Sequence, residues 1–474
     1  MYYRILFLFY VLTPFYLQGF SASDSERSSS IVYENKAYSI QDILSKYLQI
    51  SSVSGEELEA GEFLKQLCIE NGLYITPMGD QNGNYNFAAS IVPLDKGLPN
   101  IIFLNHIDVV PAGDEEKWDF PPYSGEIVND EIWGRGAFDN KGTAVMQLFS
   151  VIEIANRYRG RELSHNITFL PVSCEETQCS GGIKYVVDNY LDELNPAVVI
   201  GEGPPAIKGI IQNKPDLALF GISVAQKRTL WLRLKLELKT NGHGSVTPLQ
   251  YANKEMIMAL NNLLDKKPKI QYNEINVNLL KRMGELNKGF TGFVLKHPKL
   301  FKPIIAPKLR KEPVLMALYS NTITLTSLND GNYEYNVIPN KVTAVLDCRL
   351  LPNESTERFL NYVKQGLNND DISIEIVKET LQVEPSKEES EFFVNLKTAI
   401  EQNYEDCKTA TVILPNSNDT AYFRAHGIPS FSTVPVKIDR KYLESIHAPN
   451  ERIPLSILQK GTDTFTHFVE LCLN

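Results

Sequence analysis

Cysteine is scarce in this chain: six in 474 residues, at positions 68, 174, 179, 348, 407 and 472. None sits in a CxxC pair, and the density is far too low for a disulfide scaffold. Cys174 and Cys179 stand close enough in sequence to pair, with two reduced, buried thiols as the alternative. Positive charge is also short. Lys and Arg number 47 against 57 Asp and Glu, for a net charge of −10. A nucleic-acid partner requires a basic face, which this acidic balance does not favour, so none is expected for the body of the protein. Histidine occurs only seven times, so any that lies in a loop beside acids carries weight. There is no internal repeat. The first twenty residues are an apolar stretch whose one charge is Arg4, followed by Ser21, Ala22 and Ser23. This pattern reads as a secretory leader cleaved near Ala22, which implies a secreted or periplasmic protein. An uncleaved membrane anchor is the alternative; the run is short for it and Pro14 interrupts it. No cysteine lies near the cleavage point to carry a lipid anchor.

The length is too great for one ordinary core, so two domains are expected. Helical spacing of apolar residues covers Gln41 to Leu48, Glu56 to Asn71 and Gly142 to Tyr158. The runs Asn100 to His106, Ile167 to Val172 and Ala197 to Ile200 are apolar without alternation, as in buried strands of a mainly parallel sheet; a further strand is expected near Tyr85 to Val92. Strands alternating with helices indicate an α/β domain. The pattern changes after Lys227. Leu230, Leu232, Leu234, Leu236 and Leu238 alternate along a half-exposed strand, and Thr322 to Leu328 and Lys341 to Leu350 are similar. Helices fit Gln250 to Leu264 and Glu354 to Leu367. A smaller sheet with helices on one face is thus inserted into the first domain, and α/β character returns from about Phe392. Between Lys281 and Lys311 lie nine Lys or Arg and one acid, Glu285, interleaved with Phe290, Phe293, Leu300, Phe301 and Ile304. A solvated loop-and-helix insertion with one buried side is the plainer reading; a basic, apolar flap touching anionic lipid or acyl chains is the sharper one.

Five segments carry chemistry. His106 and Asp108 flank one residue at the end of a buried strand, where ligands bind in open α/β sheets. Period two points both side chains the same way, so His106 could bind a metal while Asp108 orients it. Asp139 follows the turn Gly134-Arg-Gly-Ala-Phe and stands just before a helix, where an N-cap is the alternative. Glu175 and Glu176 end another buried strand. Adjacent carboxylates repel, and a cation is their natural partner; one could bind it while the other accepts a proton from an attacking water. The alternative is an acidic helix start. Glu202 ends a third strand in Gly201-Glu-Gly203, and His447 lies in Ser445-Ile-His-Ala-Pro-Asn-Glu-Arg452. Mixed His and carboxylate ligation suits zinc, with manganese or cobalt as substitutes.

In this order the five motifs resemble the zinc peptidase family that includes carboxypeptidase S, aminoacylase, acetylornithine deacetylase and succinyl-diaminopimelate desuccinylase, from about Gln41 to the C-terminus. With the leader assigned to 1–22 by its composition, the resemblance implies a catalytic α/β domain over 31–226 and 391–474 and an inserted α+β, ferredoxin-like lid over 227–390. It implies two Zn2+: Asp139 bridging them with a cis bond to Asn140, His106 and Glu202 on one, Glu176 and His447 on the other, and Glu175 as general base and acid. His243, in Asn241-Gly-His-Gly-Ser245, is similar to a lid histidine that contacts the oxyanion, in many members from a partner subunit. Asn336, Asp419 and Arg349 become substrate-binding candidates, Arg349 as a fork for a carboxylate or, alternatively, as a strand-end ion pair. Two segments depart from the pattern. Gly201-Glu-Gly-Pro204 replaces the Asp-Glu-Gly-Gly of the carboxypeptidase S branch, and Asn416-Ser-Asn-Asp-Thr420 replaces a Gly-Gly-Thr-Asp loop. The insertion after Leu264 points to the carboxypeptidase S and N-acyl-amino-acid hydrolase branch.

The expected activity is hydrolysis of a peptide or N-acyl amide beside a free carboxylate, on a small peptide or N-acyl amino acid. An aminopeptidase or deacylase of the same family, or a non-catalytic binding protein that kept the fold, are the rivals. Nucleic acid is not an expected partner, membrane contact is a secondary expectation, and the assembly is a monomer or a lid-mediated homodimer.

Overall fold

Apolar runs without alternation become the buried strands of one large sheet. The structure is a computed structural model that describes residues 30–474 apart from 80–83, 208, 210, 212, 213, 215, 241, 332 and 333. The expected leader, 1–22, and Asn241 lie outside the described residues. The first strands of this sheet are β1 (Tyr74–Pro77), β2 (Phe87–Ser90), β3 (Asn100–His106), β4 (Asn166–Val172), β5 (Pro196–Gly201), β6 (Ala206–Ile207) and β7 (Ala218–Gln226). Every residue of β3 and β4 is buried, because helices cover both faces. Period two divides β3 between them. Ile101 and Phe103 join one core with helices α1 (Ile40–Leu48), α2 (Leu58–Glu70) and α3 (Lys141–Arg157). Ile102 and Leu104 join a second core with α4 (Ile183–Leu194).

The alternating leucines build the second sheet. Leu230, Leu232, Leu234 and Leu236 of β8 (Arg228–Glu237) are fully buried, while the intervening residues are more accessible. The sheet order is β9 (Thr322–Asn329), β10 (Lys341–Leu350), β8, β11 (Ser373–Glu379), and every pairing is antiparallel. Helices α5 (Ala252–Leu264) and α10 (Thr356–Leu367) share the leucine core on one face.

Between α5 and β9 lie four more helices: α6 (Glu274–Leu286), α7 (Gly289–Lys296), α8 (Lys302–Leu309) and α9 (Pro313–Tyr319). They contain the basic segment. Leu280, Val294, Ile305, Leu309, Met316 and Tyr319 give them a core of their own. Although they lie within the inserted part of the sequence, they pack on the large sheet: Leu279 and Leu286 join Leu219 of β7 and Ala410 of β12 (Cys407–Leu414). The Arg282 Nε–H donates to the Thr409 carbonyl at 3.2 Å.

After α11 (Glu391–Asn403), the chain adds β12, α12 (Thr420–Ala425), β13 (Ser430–Ser432), β14 (Lys437–Ile438) and α13 (Ser456–Leu473). The large sheet runs β14-β6-β7-β13-β5-β3-β4-β2-β1, with β12 also on β7. It is mixed, and parallel through its centre, where β13, β5, β3 and β4 are neighbours. Their carboxyl ends therefore open on the same side. Among the described residues no helix is long and apolar enough to cross a membrane.

The leucine face of β8 sets the stability of the second sheet. Leu234→Ala should cost about 2–5 kcal/mol through lost burial and a residual cavity. The urea midpoint is the measurement; an unchanged midpoint would contradict the packing described.

Candidate metal centre

Three adjacent parallel strands deliver one imidazole and three carboxylates. β3 ends on His106, β4 leads into Glu175 and Glu176, and β5 leads into Glu202. Asp139 precedes α3, after Gly136, whose φ of +86° and close approach to Val109 leave no room for a Cβ. The peptide between Asp139 and Asn140 is cis.

The two oxygens of Asp139 face different imidazoles. Oδ1 lies 3.1 Å from His106 Nε2, and Oδ2 lies 3.4 Å from His447 Nε2. Glu202 Oε2 stands 3.2 Å from His106 Nε2 and Glu176 Oε1 3.1 Å from His447 Nε2. All five expected metal ligands thus converge around one carboxylate. Candidate ligand atoms of His106, Asp139 and Glu176 lie within 4.8 Å of one another, as do those of His106, Glu175 and Glu202.

The charges are badly matched without a cation. Burial pushes Glu175 well above the usual carboxylate range, and Glu202, Asp419 and Glu176 add to the shift. Burial, then Asp139, raises Glu202, and Asp419 is pushed by burial up to about 8. Burial opposes a charge on His106, yet its hydrogen bonds with Asp108, Asp139 and Glu202 outweigh this and raise it. Hydrogen bonds to Asp139 and Glu176 raise His447 to about 10. Nitrogen and oxygen donors crowded with excess negative charge fit divalent metal ions, which would relieve the repulsion.

Asp108 does more than accompany His106. His106 Nδ1 lies 2.9 Å from the Asp108 backbone carbonyl and 3.4 Å from its carboxylate. That carboxylate accepts the backbone N–H of Glu175 at 3.0 Å and of Glu176 at 3.1 Å, and the Ser54 hydroxyl at 2.6 Å. Cys174 and Cys179 form a disulfide, which settles the open alternative and encloses the two glutamates in a small loop.

The three remaining candidates stand elsewhere. His243 and Asn336 are exposed and pair with each other, 3.2 Å between Nε2 and Nδ2. Arg349 grips Asp347 with two bonds of 2.7 and 3.0 Å and Thr229 with a third of 2.8 Å. That is the strand-end ion pair, because residues two apart on β10 share a face. His243 and Asn336 bond to one another and His243 to Ser245, whereas Arg349 also reaches the Ser417 hydroxyl, in the loop that carries Asp419, at 3.5 Å.

Sequence reasoning assigned no role to Glu451, four residues after His447. It is fully buried, holds Arg135 at 2.7 Å and accepts the N–H groups of Gly136, Phe138 and Asp139 at 3.0–3.1 Å. Its sequence signal was an acid in the same short segment as His447; its role depends on a partner 316 residues away.

A cavity of about 570 Å³ opens on Asp139, Glu202 and His447. Its walls are apolar: Leu219 and Val412 from the sheet, Leu279 and Met283 from α6, Leu315 and Leu318 from α9. The inserted helices therefore close one side of the centre.

Glu451→Gln should leave Arg135 buried beside a neutral partner and loosen the Asp139 turn. The expected loss is about 3–5 kcal/mol of stability, read from chemical denaturation. A variant as stable as the parent would remove Glu451 from this role.

The model for peptidase family M20/M25/M40 matches residues 102–471. The chain is 28% identical to a probable carboxypeptidase S-like 2 of Dictyostelium discoideum, over 82% of this chain and 74% of that one. It is 25% identical to the N-fatty-acyl-amino acid synthase/hydrolase PM20D1 of Mus musculus, over 94% and 90%. The fold is similar to that of a metallo-carboxypeptidase, Sso-CP2 from Sulfolobus solfataricus, with a TM-score of 0.69 at 21% identity over 91% and 98% of the two chains. Together with the converging donor set, the match over most of the chain places this protein in peptidase family M20/M25/M40, as a metallohydrolase.

Proposed function

We propose that this metallohydrolase cleaves the amide bond of N-acyl amino acids that carry a long apolar acyl chain, releasing a fatty acid and an amino acid. The observation that carries this reading is the apolar cavity that opens on Asp139, Glu202 and His447. A peptide cut beside its C-terminal carboxylate would need only a side-chain pocket there. An apolar cavity of about 570 Å³ bounded by helices of the insertion suits an acyl chain. The name of the PM20D1 relative points the same way.

In this reading His106, Asp139 and Glu202 would hold one metal ion and His447, Asp139 and Glu176 the other, with zinc the metal that best suits such donors. When bound, the metal pair supplies Lewis acidity toward the scissile carbonyl and the attacking water. Glu175 takes the proton of that water on a carboxylate oxygen as the oxygen adds to the carbonyl carbon. It then gives the proton to the leaving nitrogen as the carbon–nitrogen bond breaks. Burial, the largest cause of its upward shift, favours the neutral carboxyl that must hold the proton between those two steps. Asp108 holds Glu175 and Glu176 in place through their backbone N–H groups. Asp419, which lines the same recess as Glu175 and His106, faces the substrate. A substrate carboxylate at Arg349 would compete with Asp347 for it, and His243 with Asn336 would meet a reacting carbonyl by movement or from a second copy. Export through the leader places the Cys174–Cys179 bond in an oxidising compartment, where it persists.

Two experiments test this. Glu175→Gln should keep its metal content by elemental analysis and lose at least about 100-fold in kcat; chelation should abolish the parent's activity and added zinc should restore it. Full activity in the variant would sink the proton-transfer role. Across N-acyl amino acids of increasing chain length, kcat/KM should rise about fourfold per methylene until the cavity is full, as expected for about 0.8 kcal/mol per buried CH2. Leu318→Trp should shorten the best chain while sparing N-acetyl substrates. A flat series, or faster cleavage of dipeptides than of any acyl amino acid, would replace this reading with a carboxypeptidase.

A further inference from the structure

The segment 288–311 is unlike the rest of the molecule. It holds seven Lys or Arg and no acid, in a chain whose net charge is −10. All seven basic side chains are exposed, and none forms an ion pair among the described residues. Large apolar side chains stand among them. Phe290 is 67% exposed, Phe293 51% and Leu300 72%. Phe293 and Phe301 meet edge-on at 5.4 Å, and Phe293 also meets His297 at 4.9 Å, so the rings form one cluster and are not scattered.

Helices α7 and α8 already bury an apolar face. Val294, Ile305, Ala306 and Leu309 lie in the core they share with α6 and α9. The exposed rings therefore extend that apolar surface outward from the core: Phe290 stands one turn before the buried Val294, and exposed lysines lie on the same two helices. A single exposed apolar residue is ordinary, but a cluster of them needs a partner. Phe290, Phe293 and His297 follow helical spacing along one side, and Lys296 flanks them. Aromatic rings beside unpaired lysines match a bilayer that carries anionic headgroups: the rings enter the headgroup boundary and the lysines meet the negative surface. An acidic protein would otherwise be repelled by such a surface, so a local basic patch fixes which side approaches.

We propose that the exposed face of α7 and α8 docks this protein on an anionic lipid bilayer. The patch adjoins the cavity, because α6 and α9 supply Leu279, Met283, Leu315 and Leu318 to its wall and share their core with α7 and α8. Docking there sets the helical wall of the acyl cavity against the lipid. Delivery of an acyl chain along this route rests on the proposed acyl-amino-acid reading; the docking itself does not.

The test is co-sedimentation of the full-length mature protein with phosphatidylcholine vesicles, with and without phosphatidylserine. The parent should bind the phosphatidylserine vesicles at least about tenfold more tightly, with an advantage that falls as salt rises. Each lysine near the surface is worth about fivefold, so K296E/K299E/K308E should lose at least about 100-fold, and F290D/F293D should also release the protein. Both variants should keep the parent's melting temperature and its turnover of N-acetyl substrates. Equal binding to the two vesicle types, or no binding, overturns the proposal without any variant. Undiminished binding by both variants overturns it too, as does a dimer in the parent that the same substitutions dissolve, which would make a second copy the occupant. If chain-length dependence is flat while vesicle binding behaves as stated, the acyl reading fails and the docking stands.

Discussion

Six carboxylates drawn into one small volume are the constraint from which the centre of this protein follows. Asp108, Asp139, Glu175, Glu176, Glu202 and Asp419 surround His106 and His447. For Glu175, Glu202 and Asp419 burial makes the charge costly, and neighbouring carboxylates add to the cost. Cations relieve both, which is why an arrangement unfavourable for the bare chain is suited to a metallohydrolase. The surrounding structure must resist the tendency of these groups to separate. Glu451 clamps the turn before Asp139 through three backbone N–H groups and Arg135. Asp108 clamps the two glutamates from below, and the Cys174–Cys179 bond closes their loop.

Chemistry and recognition come from different parts of the chain. The proton-handling and metal-binding candidates stand at the carboxyl ends of β3, β4 and β5 and in the loops beside them. The apolar wall of the cavity comes from α6 and α9, inserted between two elements of the second sheet but packed on the large one. Such a division lets the wall change without disturbing the centre, consistent with a fold that serves several substrates by varying what surrounds one site. The second sheet contributes its own leucine core, keeps Arg349 tied to Asp347, and bonds to the loops beside the cluster through Thr229 to Ser417 and Lys378 to Gln178.

Much of this architecture is legible in the order of the amino acids. Unbroken apolar runs identify β3 and β4, since a strand covered on both faces needs no polar residue. Strict leucine alternation identifies β8, since a strand covered on one face must alternate. The motif residues His106, Asp139, Glu175, Glu176, Glu202 and His447 each stand at a strand end or loop, where side chains are free to meet a ligand. The helices of the basic segment are expected in outline from their apolar residues, but the surface they cover is not.

Local pattern by itself determined the elements, their order and which residues have the chemistry to bind metal, because periodicity and short motifs act over a few positions. Only the tertiary structure decided who meets whom. His447 reaches Glu176 across 271 positions and Glu451 reaches Arg135 across 316; Arg349 turns to Asp347 only two positions away. The pairing of Cys174 with Cys179, the cavity beside Asp139 and the outward-facing rings of α7 likewise depend on how distant elements pack. Burial and Coulomb energy are set by what surrounds a group in space, and that neighbourhood is not encoded in any short stretch of chain.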